Sequence, residues 1–214
     1  MWFIFDNLNA LIVGGMLFLM LLGIQQRVAE MNLEQTVNYI VKRQAGDLAT
    51  WLEDDLLKLG RNVDWEGETP FENPVDSAGV TVRFVFFHDS TDAGGNTVRV
   101  YVRYRLTPAG ERVIRNDTIP VYRLYREECI GSGCPSGGWQ ASGGGPGLLS
   151  YFKIDLLDQD AQPVADPVNN ADQVQNTRVR FTMATPFEVA RSQVLRQVYY
   201  GSTLLIQRQM QQGS

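Results

Sequence analysis

The sequence predicts an α+β fold: one long N-terminal helix, membrane-spanning in its first half, packed on an antiparallel β-sheet. Three patterns predict it. The run Ala10–Ile24 contains no charged residue. Apolar residues then recur every three or four positions as far as Leu59, as in an amphipathic helix. From Val80 they recur at every second position, as in strands. The predicted parts are an apolar helix over residues 1–25, its amphipathic continuation over 26–60 and a β domain over 61–214.

Composition limits the function classes. The chain has 214 residues, a net charge of −5, one histidine and two cysteines. That length supports one sizeable core. An acidic chain lacks the basic surface of a nucleic-acid binder, so we expect no nucleic-acid partner. Too few histidines and cysteines are present for most His/Cys metal sites, and we expect no cofactor.

The apolar N-terminal segment is predicted to cross a membrane. Its uninterrupted run has 15 residues, and with Trp2–Phe5 it reaches 23, whereas a spanning helix needs about 20. A cleaved signal would have a basic start and a small-residue cleavage site, yet no Lys or Arg precedes Arg27. A buried core helix would show a polar face. Gly14 and Gly15 fit a spanning helix, because small residues let helices approach closely in lipid.

Asp6 is the one carboxylate in this segment. A charge near the membrane end of an apolar helix is costly and needs a reason. It either lies at the headgroup level and caps the helix start beside Asn7, or it pairs with a positive group on a neighbouring subunit.

The amphipathic continuation carries one apolar stripe. With only Gly46 as an interior breaker, and Gly60, Arg61 and Asn62 as a stop, one helix is predicted over residues 2–59, about 85 Å long. The stripe consists of Leu33, Val37, Ile40, Val41, Leu48, Trp51, Leu52, Leu56 and Leu59.

The second half of the chain is predicted to form strands. The runs Val80–Phe87 and Val98–Leu106 form a hairpin around a turn rich in Gly and Asp. Pro120 indicates an edge position or a bulge in the next strand. The last candidate, Val198–Arg208, is compatible with strand or helix. The other predicted strands are Thr118–Arg126, Tyr151–Leu157 and Arg178–Thr185, with Val179, Phe181 and Met183 inward.

Cys129 and Cys134 lie in a glycine-rich loop, residues 129–149, predicted to lack regular structure. A metal site would need two more ligands, and a redox motif would have C-x-x-C beside a βαβ unit. A disulfide is favoured, and disulfides persist outside the cytosol. This places the β domain outside the cytoplasm. Arg27, Lys42 and Arg43 favour the opposite orientation by the positive-inside rule, but three basic residues are a weak signal.

No pattern of catalytic residues is present, and we expect no enzyme. His88, Asp89 and Ser90 are adjacent, so their side chains diverge, whereas catalytic triads come from separate elements. Asp158 and Asp160 are weak Ca²⁺ candidates, because the surrounding sequence lacks the glycine and glutamate of an EF-hand loop; the alternative is a solvated turn.

A basic stripe is predicted on one strand. Arg99, Arg103 and Arg105 share a strand face. One interpretation is a face exposed to solvent. The other is ion pairing, either with the acidic stretch Glu53–Asp55 or with a neighbouring molecule.

The layout resembles the type IV pilins and the pseudopilins of type II secretion, most closely their larger minor subunits. Three features carry the resemblance: the apolar helix with a lone carboxylate near its start, the stretch Tyr151–Val164 (YFKIDLLDQDAQPV) and the closing segment that begins at Val179 (VRFTMATPFEVARSQVLRQVYYGSTLLIQRQ). The chain departs from the family at position 5, where Phe5 replaces the usual glutamate, and no leader is visible before the helix. Either a leader has been removed or the protein is an unprocessed relative.

The resemblance implies a structural filament subunit. Asp6 would take the assembly role of the family's glutamate, and the helix bearing Gly14 and Gly15 would pack with other pilin-like subunits. The subunit would sit in the inner membrane by a single span, with lipid as its partner before assembly, and in an extracellular filament afterwards. The alternative is a single-span membrane protein whose extracytoplasmic domain binds a partner and never polymerises.

Overall fold

The computed structural model describes residues 2–114, 117–131, 133–134, 136–145, 147–184 and 197–206, without the side chains of 2–6, 113–114, 117 and 197. One helix, α1 (Trp2–Leu56), precedes all strands. The strands are β1 (Val75–Ser77), β2 (Val80–Thr91), β3 (Thr97–Ile114), β4 (Asp117–Ile130), β5 (Gln140–Gly144), β6 (Leu148–Leu157), β7 (Asn176–Ala184) and β8 (Gln197–Leu205); a short 3-10 helix spans Ala171–Gln173.

The eight strands form one antiparallel sheet in the order β1-β2-β3-β4-β6-β7-β8, and β5 pairs with β4 beside this path. The predicted hairpin is confirmed as β2 and β3, with Phe86 opposite Val102. The sheet curls and brings β6 to the start of β2, where the Ile154 amide donates a hydrogen bond of 3.2 Å to Thr81 Oγ1. The α+β class is therefore as predicted.

Two uncertain strand predictions are resolved. The segment after residue 197 is a strand, β8, which pairs with β7 from Gln197 to Leu205; Arg208 lies outside the described residues. Pro120 pairs with Glu111 of β3, and no other described strand pairs with β4 at that point. One side of β4 is therefore open at Pro120, in agreement with the predicted edge position.

The apolar stripe of α1 packs on the sheet from Val37 onward. Val37, Val41, Leu48, Leu52 and Leu56 are all at most 3% exposed. They meet an inward layer that includes Phe84, Phe86, Tyr104, Leu124, Phe152, Val179, Phe181 and Met183. Leu33 was predicted in the stripe but is 54% exposed, because the packing against the sheet begins only at Val37.

The helix ends at Leu56, three residues before the predicted end. Leu59 is still buried, so the stripe continues into the turn. Gly60 has φ +67°, and its amide donates to the carbonyl of Phe87 at 3.0 Å. The predicted glycine stop is confirmed, since only this residue type enters the left-handed region without cost.

The prediction that residues 129–149 lack regular structure is wrong. β4 continues to Ile130, and Gln140–Gly144 forms β5 on its edge. This strand passes beside the helix: a Cβ at Gly143 would lie 3.8 Å from the Trp51 ring, and one at Gly145, just after β5, would lie 3.7 Å from Leu48, both ordinary contact distances. Glycine is needed at Gly144, where a Cβ would lie 3.0 Å from the Leu124 carbonyl oxygen of β4. The composition therefore reflects a close approach of β5 to the backbone of β4 rather than disorder.

Candidate functional site: the exposed apolar helix and its seat on the sheet

The first half of α1 projects from the domain. Between Asn7 and Thr36 no described side chain is buried, a length of about 45 Å. Twelve large apolar side chains between Leu8 and Ile24 are exposed, and they point to every side of the helix. An 18-residue window has a mean hydropathy of 2.0 with none of it buried. By length and composition, this helix could cross a membrane as a single-pass anchor.

The predicted packing residues lie on this projecting part. Gly14 and Gly15 have open space where a Cβ would stand, so another helix could approach their backbone closely. Asp6 lies within the helical backbone of α1, but its side chain lies outside the described part of the chain.

A buried charge cluster fixes the other end of α1 to the sheet. Asp55 (3% exposed) and Arg126 of β4 (7% exposed) form a two-pronged ion pair. Arg126 Nη2 donates to Asp55 Oδ1 at 3.0 Å, and Nε donates to Oδ2. The hydroxyl of Tyr104 donates to Asp55 Oδ2 at 3.1 Å. Each polar atom of the carboxylate therefore has a partner, as a buried charge requires.

The electrostatics of the cluster favour its charged form. Burial raises the pKa of Tyr104, and the adjacent Asp55 carboxylate raises it further, so the phenol stays protonated. Burial alone would lower the pKa of Arg126, but its hydrogen bonds to Asp55 and Glu128 outweigh that effect and raise it. Arg126 Nη1 also donates to Ser142 Oγ of β5 at 2.6 Å. One guanidinium thus joins α1, β4 and β5.

The predicted pairing of Arg99, Arg103 and Arg105 with Glu53–Asp55 is wrong. Strand residues alternate between faces, and these arginines lie on the face opposite α1, whereas Tyr104 faces the helix. Arg103 and Arg105 donate to Glu127 at 2.6 and 2.9 Å, and Arg99 donates to Asp89 at 2.9 Å.

The Arg126 pair was missed, although the sequence contains a signal for it. Asp55 lies on the buried stripe between Leu52 and Leu56, and Arg126 lies two residues after the inward Leu124. A charged residue at a buried position of the helix, with one of opposite sign at an inward position of a strand, indicates an ion pair between them.

Glu127 holds two arginines of the outer face together. Burial would raise the pKa of its carboxyl, but the hydrogen bonds from Arg105 and Arg103 outweigh this and lower it. The Arg103 guanidinium also lies 4.1 Å from the centre of the Trp139 ring. This contact fastens the chain that follows the cysteines onto the sheet.

Cys129 and Cys134 form a disulfide, with Cα atoms 5.9 Å apart. It closes a short loop at the end of β4, in agreement with the favoured interpretation of this pair.

Asp158, a weak Ca²⁺ candidate, lies in a turn. Its Oδ1 accepts the amides of Asp160 and Gln162, each at 2.9 Å. Among the described residues, no group of three or more His, Cys, Asp or Glu side chains is placed to hold a metal ion. The turn alone accounts for the D-x-D spacing.

The adjacent His88, Asp89 and Ser90 lie at the end of β2, where successive side chains point to opposite faces. Asp89 accepts from Arg99 on the outer face, while His88 and Ser90 line a cleft beyond the end of α1. The three residues therefore do not converge on one reacting group.

Comparison with protein-family models, with curated proteins and with solved structures finds no match to this chain.

Proposed function

We propose that this chain is a structural subunit of a type IV pilus-like or pseudopilus filament, inserted in the membrane before assembly. One observation carries the proposal: a single unbroken helix is apolar and exposed on all sides over its first half and forms part of the domain core over its second. Both a bilayer and a bundle of equivalent helices would cover the exposed half.

The exposed apolar surface of α1 must be covered by lipid or protein, because leaving it in water costs too much free energy. Burying one large apolar side chain contributes about 1.5–3 kcal/mol. Twelve such side chains are exposed between Leu8 and Ile24, and together they outweigh the roughly 5–15 kcal/mol that keeps a domain folded. Moving the apolar helix from lipid into a helix bundle gains no hydrophobic free energy, because both surroundings are apolar, so close packing must drive it. Gly14 and Gly15 allow the close approach of helices that such packing needs.

The rigid attachment of α1 to the sheet supports a structural role rather than a catalytic one. The helix contains no proline, and the Asp55–Arg126 pair ties its end to the sheet. The position of the domain is thereby fixed relative to the apolar segment. A fixed geometry is what repeated subunit contacts need to propagate along a filament.

Asp6 has the assembly role in this proposal. Its carboxylate would pair with a positive group, such as the terminal amine, of a neighbouring subunit's helix. An unpaired carboxylate in an apolar bundle is costly, and pairing recovers that cost only in the assembled state.

The proposed location is the inner membrane, with the β domain extracytoplasmic and the assembled filament extracellular. The disulfide Cys129–Cys134 supports this orientation, because such bonds persist in oxidising compartments.

The test is cross-linking between copies of the full chain in whole cells, which hold both the membrane-inserted and the assembled form. Leu11→Cys and Met20→Cys are nine residues apart, which places them on opposite sides of the helix. The native cysteines are already paired, so oxidation reports on the new thiols alone. A filament predicts a ladder of dimers, trimers and larger species; a non-polymerising anchor predicts monomers or dimers only.

Asp6 is tested in the same background. Asp6→Ala should remove the ladder, while Asp54→Ala, a matched change at an exposed acid of the same helix, should leave it. A normal ladder from the Asp6 variant would contradict the pairing role.

A further inference from the structure

The part of α1 that packs on the sheet leaves its opposite side exposed. Tyr39, Arg43, Gly46 and Thr50 lie on this side at spacings of three or four residues, and all four are exposed. Thr50 is two residues, about 200° of helical rotation, from the buried Leu48, so these residues face away from the sheet. A Cβ at Gly46 would meet nothing within 4 Å. We call these four residues the outer stripe.

Charges of opposite sign flank the outer stripe. Lys42 lies on one side of it and Asp47 on the other, and both are exposed. Neither forms an ion pair with any residue that the structure describes. The two are five residues apart, and at this spacing charges that flank the contact between two parallel helices face each other across it. The stripe is therefore complementary in charge to a second copy of itself.

A shared membrane limits how two copies can meet. Copies anchored by the same apolar segment stand parallel, with equivalent residues at the same height above the bilayer. Side by side, Lys42 of each chain would face Asp47 of the other, so the contact would contain two ion pairs. An antiparallel arrangement would instead bring the two Lys42 side chains together. The charges thus favour the orientation that the membrane imposes.

Gly14 extends the same line of contact into the apolar segment. It precedes Thr50 by 36 residues, or ten turns at 3.6 residues per turn, so both lie on one side of a straight helix. Gly14 also has open space where a Cβ would stand. Two helices that meet at Gly46 and Thr50 are thereby aligned to meet at Gly14 as well.

We propose that two membrane-inserted copies of this chain pair through their outer stripes before assembly. Gly46 and Thr50 allow a close approach of the helices, and Tyr39 adds apolar surface. The flanking charges pair between the chains, and Arg43 reaches past the edge of the contact to water. Because the stripe faces away from the sheet, both β domains lie outside the pair. The contact is two-fold, since the same surface serves both chains, and it rests on the membrane insertion that the proposed function includes.

Cysteine cross-linking of the full chain in membranes tests the pair. Thr50→Cys places a thiol in the middle of the contact, opposite the same thiol of the second copy, and the native cysteines are already paired. Oxidation should give disulfide-linked dimers. Ser77→Cys is the control, because Ser77 is exposed on β1, in the domain that lies outside the pair. A dimer yield from Ser77→Cys equal to that from Thr50→Cys would overturn the proposal.

A charge exchange in the Thr50→Cys chain provides an independent measurement. Asp47→Lys turns both attractive pairs into repulsive ones and should lower the dimer yield about tenfold. Adding Lys42→Asp exchanges the two signs and should restore the yield. Asp54→Lys is the matched control, because Asp54 is exposed but the residue five positions before it is Ala49, which has no charge to pair. Loss without restoration, or the same loss from Asp54→Lys, would overturn the pairing.

The two proposals fail separately. Ladders from the Leu11→Cys and Met20→Cys chain without Thr50→Cys dimers would keep the filament and overturn the pair. Thr50→Cys dimers without ladders would keep the pair and overturn the filament.

Discussion

Asp55 of the helix and Arg126 of strand β4 form a two-pronged ion pair in the interior, and this pair joins the projecting helix to the sheet. The pair lies in the last turn of α1, beside the buried Leu52 and Leu56. Charge and apolar packing therefore act at the same point of the interface.

Removing one partner of the buried pair should be strongly destabilising. Arg126→Met removes both hydrogen bonds of the guanidinium to the buried Asp55 carboxylate and leaves it only the longer ionic contact with Lys58 at 3.6 Å, so it should lower the free energy of unfolding by about 3 kcal/mol. The double variant Asp55→Leu with Arg126→Met removes both charges of the pair and should recover much of that loss. Denaturant unfolding of the full chain in detergent measures both. Equal destabilisation of the single and double variants would contradict this account of the pair.

Truncating the apolar stripe should be costly only where it meets the sheet. Leu52 is fully buried, so Leu52→Ala should lower the free energy of unfolding by about 2–5 kcal/mol. Leu57, the first residue after α1, is 40% exposed, and Leu57→Ala should change the free energy of unfolding by about 0.5 kcal/mol or less. The same unfolding measurement compares them. Similar decreases in the free energy of unfolding for the two variants would contradict this packing of α1 on the sheet.

Glycine in β5 should be required for its close approach to β4. A Cβ at Gly144 would lie 3.0 Å from the carbonyl oxygen of Leu124, which is backbone and cannot easily move away. Gly144→Ala should therefore destabilise the chain by about 1–3 kcal/mol. Gly137→Ala is the control, since nothing lies within 4 Å of its Cβ position. Thermal unfolding of the two variants decides the point, and equal midpoints would contradict the close approach.

The only histidine should make stability depend on pH. Burial and the neighbouring Lys58 lower the pKa of His88 in the folded state below its usual 6.5. The unfolded chain therefore binds a proton first as the pH falls, and stability should decrease from about pH 6.5 downward until the folded-state pKa is reached. His88→Gln should remove this part of the dependence. Unfolding curves between pH 5 and 7.5 test it, and identical pH profiles for the variant and the parent chain would contradict it.

The helix and most strands could be predicted because each periodic run of apolar residues is long and uninterrupted. The stripe from Val37 to Leu56 and the alternation from Val80 to Leu106 each repeat over several turns or pairs, so that local pattern and tertiary packing agree. The failures occur where packing overrides composition. Glycine content alone does not distinguish a loop from a strand held close to its neighbour, and this is why β5 was missed.

The site was predicted only in part, for a different physical reason. The alternation of apolar and polar residues shows which strand residues share a face. Which of the two faces the helix covers depends on the tertiary packing. Arg103 and Arg126 belong to adjacent strands, and only the sheet register places Arg126 under Asp55. The cleft beyond Leu56 depends equally on where the helix ends relative to three strands that are distant from it in sequence.

The central claim is that the projecting helices of many copies pack together in one filament. Its most direct measurement is electron microscopy of cells that express the full chain, with gold-labelled antibody against the β domain. The account predicts filaments with gold along or at the tip of each fibre, and loss of that labelled assembly in the Asp6→Ala variant. Gold dispersed over the membrane, with no labelled filament in cells that make the full chain, would contradict it.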